Sequence, residues 1–94
     1  EIPVVTPAVF ELGAAYPNPF NPTTNITLEV MDAGYVSIKV YNVLGQVSSV
    51  LSEGYMQPGN YALTWDASEE VSGMYLVRAE TAGHISTQKI LLIK

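Results

Sequence analysis

The chain contains no cysteine. Disulfides, thiolate zinc sites and cysteine nucleophiles are excluded together. Small secreted domains of eukaryotes often lean on disulfides, so this absence favours a bacterial source. There is a single histidine, His84, and only four basic residues, Lys39, Arg78, Lys89 and Lys94, which form no run. Counterion release on nucleic acid takes several clustered cations, so DNA or RNA binding is not expected. Attraction to an anionic membrane surface fails for the same reason. The longest apolar run, residues 90–93, is far too short to insert into a bilayer. Charged residues make up 14% of the chain, against about 25% in a typical soluble domain. A surface so poor in charge is expected to be covered in part by a protein partner or by copies of itself. The opening on Glu1, with no signal peptide, reads as a processed product or an excised fragment.

What the chain has is 94 residues, 48% of them hydrophobic, with a net charge of −5. That length suits one domain with one modest core. Residues 1–15 form an extended arm or linker, because Pro3 and Pro7 forbid a helix. The arm carries Ile2, Val4, Val5, Val9, Phe10 and Leu12, too many apolar groups to leave in water. Phe10 and Leu12 are expected to be buried. Docking on the arm's own domain would give a seventh strand. Docking on a neighbour, with Ile2, Val4 and Val5 in contact with another chain, would give strand addition and a homopolymer.

Residues 16–22 hold three prolines within six positions, a rigid non-sheet entrance. Alternating patterns follow. In residues 25–30, Ile26, Leu28 and Val30 share one face; in 35–41, Val36, Ile38 and Val40 do. Turns are expected at 31–34 and 42–45. A weaker strand at 46–51 precedes a loop punctuated by Gly54 and Pro58-Gly59-Asn60. Tyr61, Leu63 and Trp65 then alternate, residues 74–80 form another strand, and 81–84 turn into a last strand, 85–93. The spacing of strands and turns predicts an all-β fold, an immunoglobulin-like β-sandwich of about seven antiparallel strands spanning residues 16–94. No segment sustains a helical period. Trp65, Tyr75, Ile26, Leu28, Ile38, Val40 and Leu63 are the expected core.

Catalytic chemistry finds little footing. His84 sits in a turn, Ser86 lies nearby, and no strained nucleophile elbow exists. Asp66, Glu69 and Glu70 share one loop without the alternating ligands and central glycine of a calcium loop. No metal, cofactor or catalytic residue is expected. Asn25-Ile26-Thr27 matches the N-glycosylation pattern, which carries no automatic meaning in a bacterial chain. Tyr35, Tyr41, Tyr55, Tyr61, Trp65 and Tyr75 could form a sugar platform. Their apolar strand neighbours favour core packing instead, with loop residue Tyr55 the exception.

Five segments, in order, carry a resemblance. They are Tyr16-Pro17-Asn18-Pro19-Phe20-Asn21-Pro22, Val40-Tyr41-Asn42-Val43-Leu44-Gly45-Gln46, Trp65-Asp66-Ala67-Ser68, Ser72-Gly73-Met74-Tyr75-Leu76-Val77-Arg78 and Lys89-Ile90-Leu91-Leu92-Ile93-Lys94. Together they resemble the type A C-terminal sorting domain of the bacterial type IX secretion system, itself similar to the immunoglobulin-like domain of flagellar hook-capping proteins. Pro17, Asn18, Pro19 and Phe20 read as a stiff hinge between cargo and fold. Gly45 supplies a positive-φ turn position. Gly73 begins a strand where a side chain would crowd the turn. Trp65 and Tyr75 are core plugs, and the last strand suits burial between layers or recognition from both sides.

The resemblance implies a non-catalytic domain that folds in the periplasm and addresses an exported protein to an outer-membrane translocon. The protein then reaches the cell surface or the medium, often with the domain cleaved off. Lys89, Ile90, Leu91, Leu92, Ile93 and Lys94 would be its recognition strand. Since only the arm precedes the fold, either cargo has been removed or the unit is itself a mature product. The alternative is an extracellular structural subunit that polymerises through the arm.

Overall fold

A computed structural model describes residues 8–94. It is all-β, with seven strands: β1 (Val9–Leu12), β2 (Thr23–Asp32), β3 (Gly34–Tyr41), β4 (Val47–Met56), β5 (Gly59–Asp66), β6 (Gly73–Glu80) and β7 (Ile85–Leu92). They form a β-sandwich of two antiparallel sheets, one ordered β1-β2-β5 and the other β4-β3-β6-β7.

The alternation in the sequence sets the inner faces. Thr24, Ile26, Leu28 and Val30 of β2 point in and are buried, as are Val36, Ile38 and Val40 of β3. From the other strands come Tyr75, Val77 and Ala79 of β6, Ile90 and Leu92 of β7, and Trp65 of β5. Each fully buried aliphatic side chain contributes about 1.5–3 kcal/mol. Thr24 is the polar member of this set, and its hydroxyl donates to the Pro17 carbonyl at 2.7 Å, which meets the need for a partner.

Two boundaries and one burial differ from the pattern-based expectation. No turn forms at 31–34: β2 runs to Asp32 and β3 starts at Gly34. The chain passes here from one sheet to the other, and a sheet-to-sheet step needs no hairpin turn. Gly34 is required at this step, since a Cβ there would stand 2.7 Å from the Ala8 nitrogen. The expected loop after residue 51 is also absent. β4 continues through Gly54 to Met56 because the first half of β3 pairs with residues 52–56. Leu63, expected in the core, is only partly buried, because β5 is an edge strand of the smaller sheet.

Not all the tyrosines are core groups. Tyr35 and Tyr55 face each other across β3 and β4 on the outer face, and Tyr55 is 67% exposed. Parity decides this: with Val36, Ile38 and Val40 inside, odd-numbered residues of β3 must point out. Tyr55 lies in β4, not in a loop.

Residues 8–12, read above as part of an arm, fold onto their own chain. β1 pairs with β2, Phe10 is buried, Leu12 is partly buried, and Ala8 joins the core. Ile2, Val4 and Val5 lie outside the described residues.

β7 is an edge strand, not one enclosed between layers. Ile90 and Leu92 are buried on one face while Leu91 and Ile93 are exposed on the other.

Candidate functional site

At the end of the sandwich where β7 finishes, the proline-rich segment makes the first turn of the site. The Tyr16-Pro17, Asn18-Pro19 and Asn21-Pro22 peptide bonds are cis. The segment is a strap built into the fold, not a hinge outside it. Tyr16 bridges to Asn25 of β2, and Phe20 bridges in parallel to Leu92 of β7. The Phe20 N–H donates to the Leu91 carbonyl at 2.9 Å, and the Ile93 N–H donates to the Phe20 carbonyl at 3.0 Å. Prolines on both sides of Asn18 carry no N–H, so its side chain supplies the missing pairing. Asn18 Oδ1 accepts from the Leu91 N–H at 3.0 Å, and Nδ2 donates to the Lys89 carbonyl at 3.1 Å. The side chain thereby replaces a peptide unit along β7.

Phe20 fills the core behind the strap. Its ring centroid lies 5.6 Å from that of Trp65, and Trp65 stands edge-on to Tyr75 at 5.1 Å. Tilted aromatic pairs of this kind add about 0.5–1.5 kcal/mol beyond burial. The Tyr75 hydroxyl donates to the Val71 carbonyl at 2.6 Å. Burial raises the Tyr75 pKa, with a smaller contribution from the Glu70 charge.

The loop after β5 closes over the same end. The Ala67 N–H donates to the Pro22 carbonyl at 2.8 Å. Asp66 Oδ1 accepts from the Ser68 N–H at 3.0 Å and from the Ser68 hydroxyl. These bonds, the hydroxyl first, hold the Asp66 carboxyl below its usual range, and Lys94 adds a weaker pull. Lys94 Nζ donates to the Ser68 carbonyl, and the Lys94 N–H donates to Ser72 Oγ at 2.9 Å. Lys94 is therefore tied to this loop.

The turn between β3 and β4 completes the end. Asn42 Oδ1 accepts from the N–H groups of Leu44 and Gln46 at 2.9 and 3.0 Å. Gly45 has φ 81°, the left-handed conformation expected from the sequence. Pinned this way, the turn thrusts Val43 and Leu44 into solvent, 68% and 78% exposed. They flank a shallow cleft of about 270 Å³ whose other wall holds Val71, itself 77% exposed, and Met74. Leu91 and Ile93 add exposed apolar surface at the end of β7. Gly73 has φ 154°, and a Cβ there would meet no atom within 4 Å. Its reason is the backbone conformation rather than the crowding expected.

All five segments quoted from the sequence thus meet at one end of one sandwich. Asn18, expected as part of a hinge, is a pairing group along β7 instead. Residues that pattern reading did not single out are Asn42, Val43, Leu44 and Val71, and an asparagine four residues before Gln46 was the available signal for the first.

The other candidates lie elsewhere. His84, at the start of β7, rests against Phe10 with ring centroids 5.1 Å apart. Among the described residues, no three His, Asp or Glu side chains gather as metal ligands would. A surface depression of about 450 Å³ lies on the outer face of the smaller sheet beside Glu11, Thr27, Glu29 and Tyr61, and none of the five segments reaches it.

The sequence model of the secretion system C-terminal sorting domain matches residues 14–94. The chain belongs to this family. The match takes in every strand but β1. No curated protein matches the chain. Membership places it on the type IX route, whose products are exported to the cell surface or the extracellular space. The family's work is sorting, which involves contact with secretion machinery rather than catalysis.

Proposed function

We propose that this domain is a non-catalytic address, presented by a folded protein to the outer-membrane export machinery. The machinery reads the end of the sandwich where the five segments meet. The observation that carries this reading is their convergence. Segments as far apart in sequence as Phe20 and Leu92 pair directly, and Phe20, Trp65 and Tyr75 pack as tilted and edge-on rings in one aromatic row. Packing accounts for Phe20, Trp65 and Tyr75. It does not account for Val43 and Leu44, which a well-bonded turn holds out in solvent, or for the exposed Val71 across the cleft from them. Exposed apolar groups grouped around a rigid frame mark a protein-binding surface. Lys89 and Lys94 supply positive charge beside it in an acidic chain.

The polymer reading rests on contact of Ile2, Val4 and Val5 with a neighbour, and these lie outside the described residues. The rest of the arm's apolar part, Val9–Leu12, pairs with β2 of its own chain. The test is export of a periplasmic reporter carrying the full chain at its C-terminus, in a bacterium with a working type IX system. The reporter is expected at the cell surface or in the medium, and it should stay in the periplasm when the translocon is disabled. Equal retention in both strains would refute the address.

A further inference from the structure

We propose that the outer edge of β7 is a strand-addition surface, and that its occupant is an extended acidic segment of the export machinery; this rests on the sorting reading above. The four sheet edges are not equivalent. β1 has four residues and a register shift, and the β3–β4 ladder shifts twice. Short strands and bulges of this kind blunt an edge against pairing. The β6–β7 ladder runs without a shift over all eight residues of β7. The β2–β5 ladder is also regular, but β5 carries no cation and ends on Asp66.

Backbone alternation places the N–H and C=O groups of Leu91 on the outer edge, where Asn18 and Phe20 bond them. By the same period, the groups of Ile85, Thr87 and Lys89 face outward. Among the described residues no strand pairs with that side of β7 between 85 and 88. Half of the edge therefore has no paired strand, although the inward-facing Gln88 carboxamide ties β7 to Gly13 and Ala15. The other half is covered by a strap fastened through one carboxamide and one backbone residue. That strap already makes one parallel bridge to the edge, Phe20 to Leu92. An incoming segment pairs with residues 85–89 first. It gains residues 89–93 by taking the places of Asn18 and Phe20.

Charge selects the occupant. Lys89 and Lys94 lie within residues 85–94, which contain no acid, while all nine carboxylate side chains lie earlier in the chain. Like charges opposed across a ladder repel, and opposite charges attract. Lys89 on the edge therefore discourages pairing with a second β7 and favours a carboxylate on the added strand.

The test uses the full chain on its exported reporter. Thr87→Pro removes an outward N–H that bonds to nothing among the described residues, and proline is tolerated on such an edge. Its thermal midpoint is expected within a few degrees of wild type, with export reduced at least tenfold. Lys89→Glu, at an exposed position, is expected to fold normally and to lose export similarly; it decides the matter if Thr87→Pro does not fold. Folded Thr87→Pro or Lys89→Glu exported normally would overturn strand addition and leave the sorting reading intact. Retention of the wild-type fusion would instead remove the sorting reading, and this proposal with it.

Discussion

Phe20→Ala separates a strap that belongs to the fold from a linker that precedes it. Phe20 is buried, packs against Trp65 and pairs with Leu92. Truncating a buried phenylalanine costs about 3–5 kcal/mol through lost transfer energy and the cavity left behind. A domain of this size has a total stability of about 5–10 kcal/mol. The variant should therefore lose roughly half of it. Each kcal/mol moves the melting midpoint of a domain this size by about 4–8 °C, so the midpoint should fall by at least about 12 °C. Circular dichroism melting of the full chain measures this. Tyr16→Ala is the matched control, four residues away on the same strap but exposed, and it should change stability by less than about 0.5 kcal/mol. If Phe20→Ala melts within about 4 °C of wild type, residues 16–22 are a hinge outside the core, and the account of the strap is wrong.

Trp65→Ala should cost about 3–5 kcal/mol by the same mechanism, and a normal melt would mean the β5 strand phase is misassigned. Gly45→Ala forces a side chain into φ 81° and should cost about 1 kcal/mol, seen as a shift in the denaturant midpoint without a change in slope. The depressed Asp66 carboxyl predicts acid sensitivity. Its folded pKa lies below the unfolded value, so its contribution is complete above the ordinary carboxylate range and is lost as pH falls through the folded pKa. Ser68→Ala should therefore narrow the midpoint difference between neutral and strongly acidic pH; an unchanged profile would show that the Asp66–Ser68 bonds carry no stability. His84→Ala should leave export unchanged, and loss of export with the fold intact would give that residue a role at the wrong end of the molecule.

Much of the fold was legible because the core strands alternate cleanly. Ile26, Leu28 and Val30, and Val36, Ile38 and Val40, show the pattern in sequence and occupy the buried faces in space. What failed was punctuation. Asp32 through Gly34 looked like a turn because turn-forming residues also serve at a sheet-to-sheet step. Gly54 looked like a loop residue but sits inside β4, because local composition cannot report the length of the partner strand that holds it. The edge position of β7 was hidden for a similar reason: apolar residues on both faces suggest enclosure, and only the order of strands reveals an open side. Phe20, Trp65 and Tyr75 were legible as motif residues, but their packing against one another depends on long-range pairing that no local pattern encodes. Val43, Leu44 and Val71 escaped notice since an apolar residue in a turn gives no sign of where it points.

Whether the end formed by the five segments is the address is tested by surface export of a Val43→Ser, Leu44→Ser, Val71→Ser variant of the full chain, measured beside a Tyr35→Ser, Tyr55→Ser variant. All five side chains are exposed, so both proteins should melt within a few degrees of wild type. The first should lose surface display at least tenfold while the second keeps it. Wild-type display of the first variant, or an equal loss in both, would contradict the account.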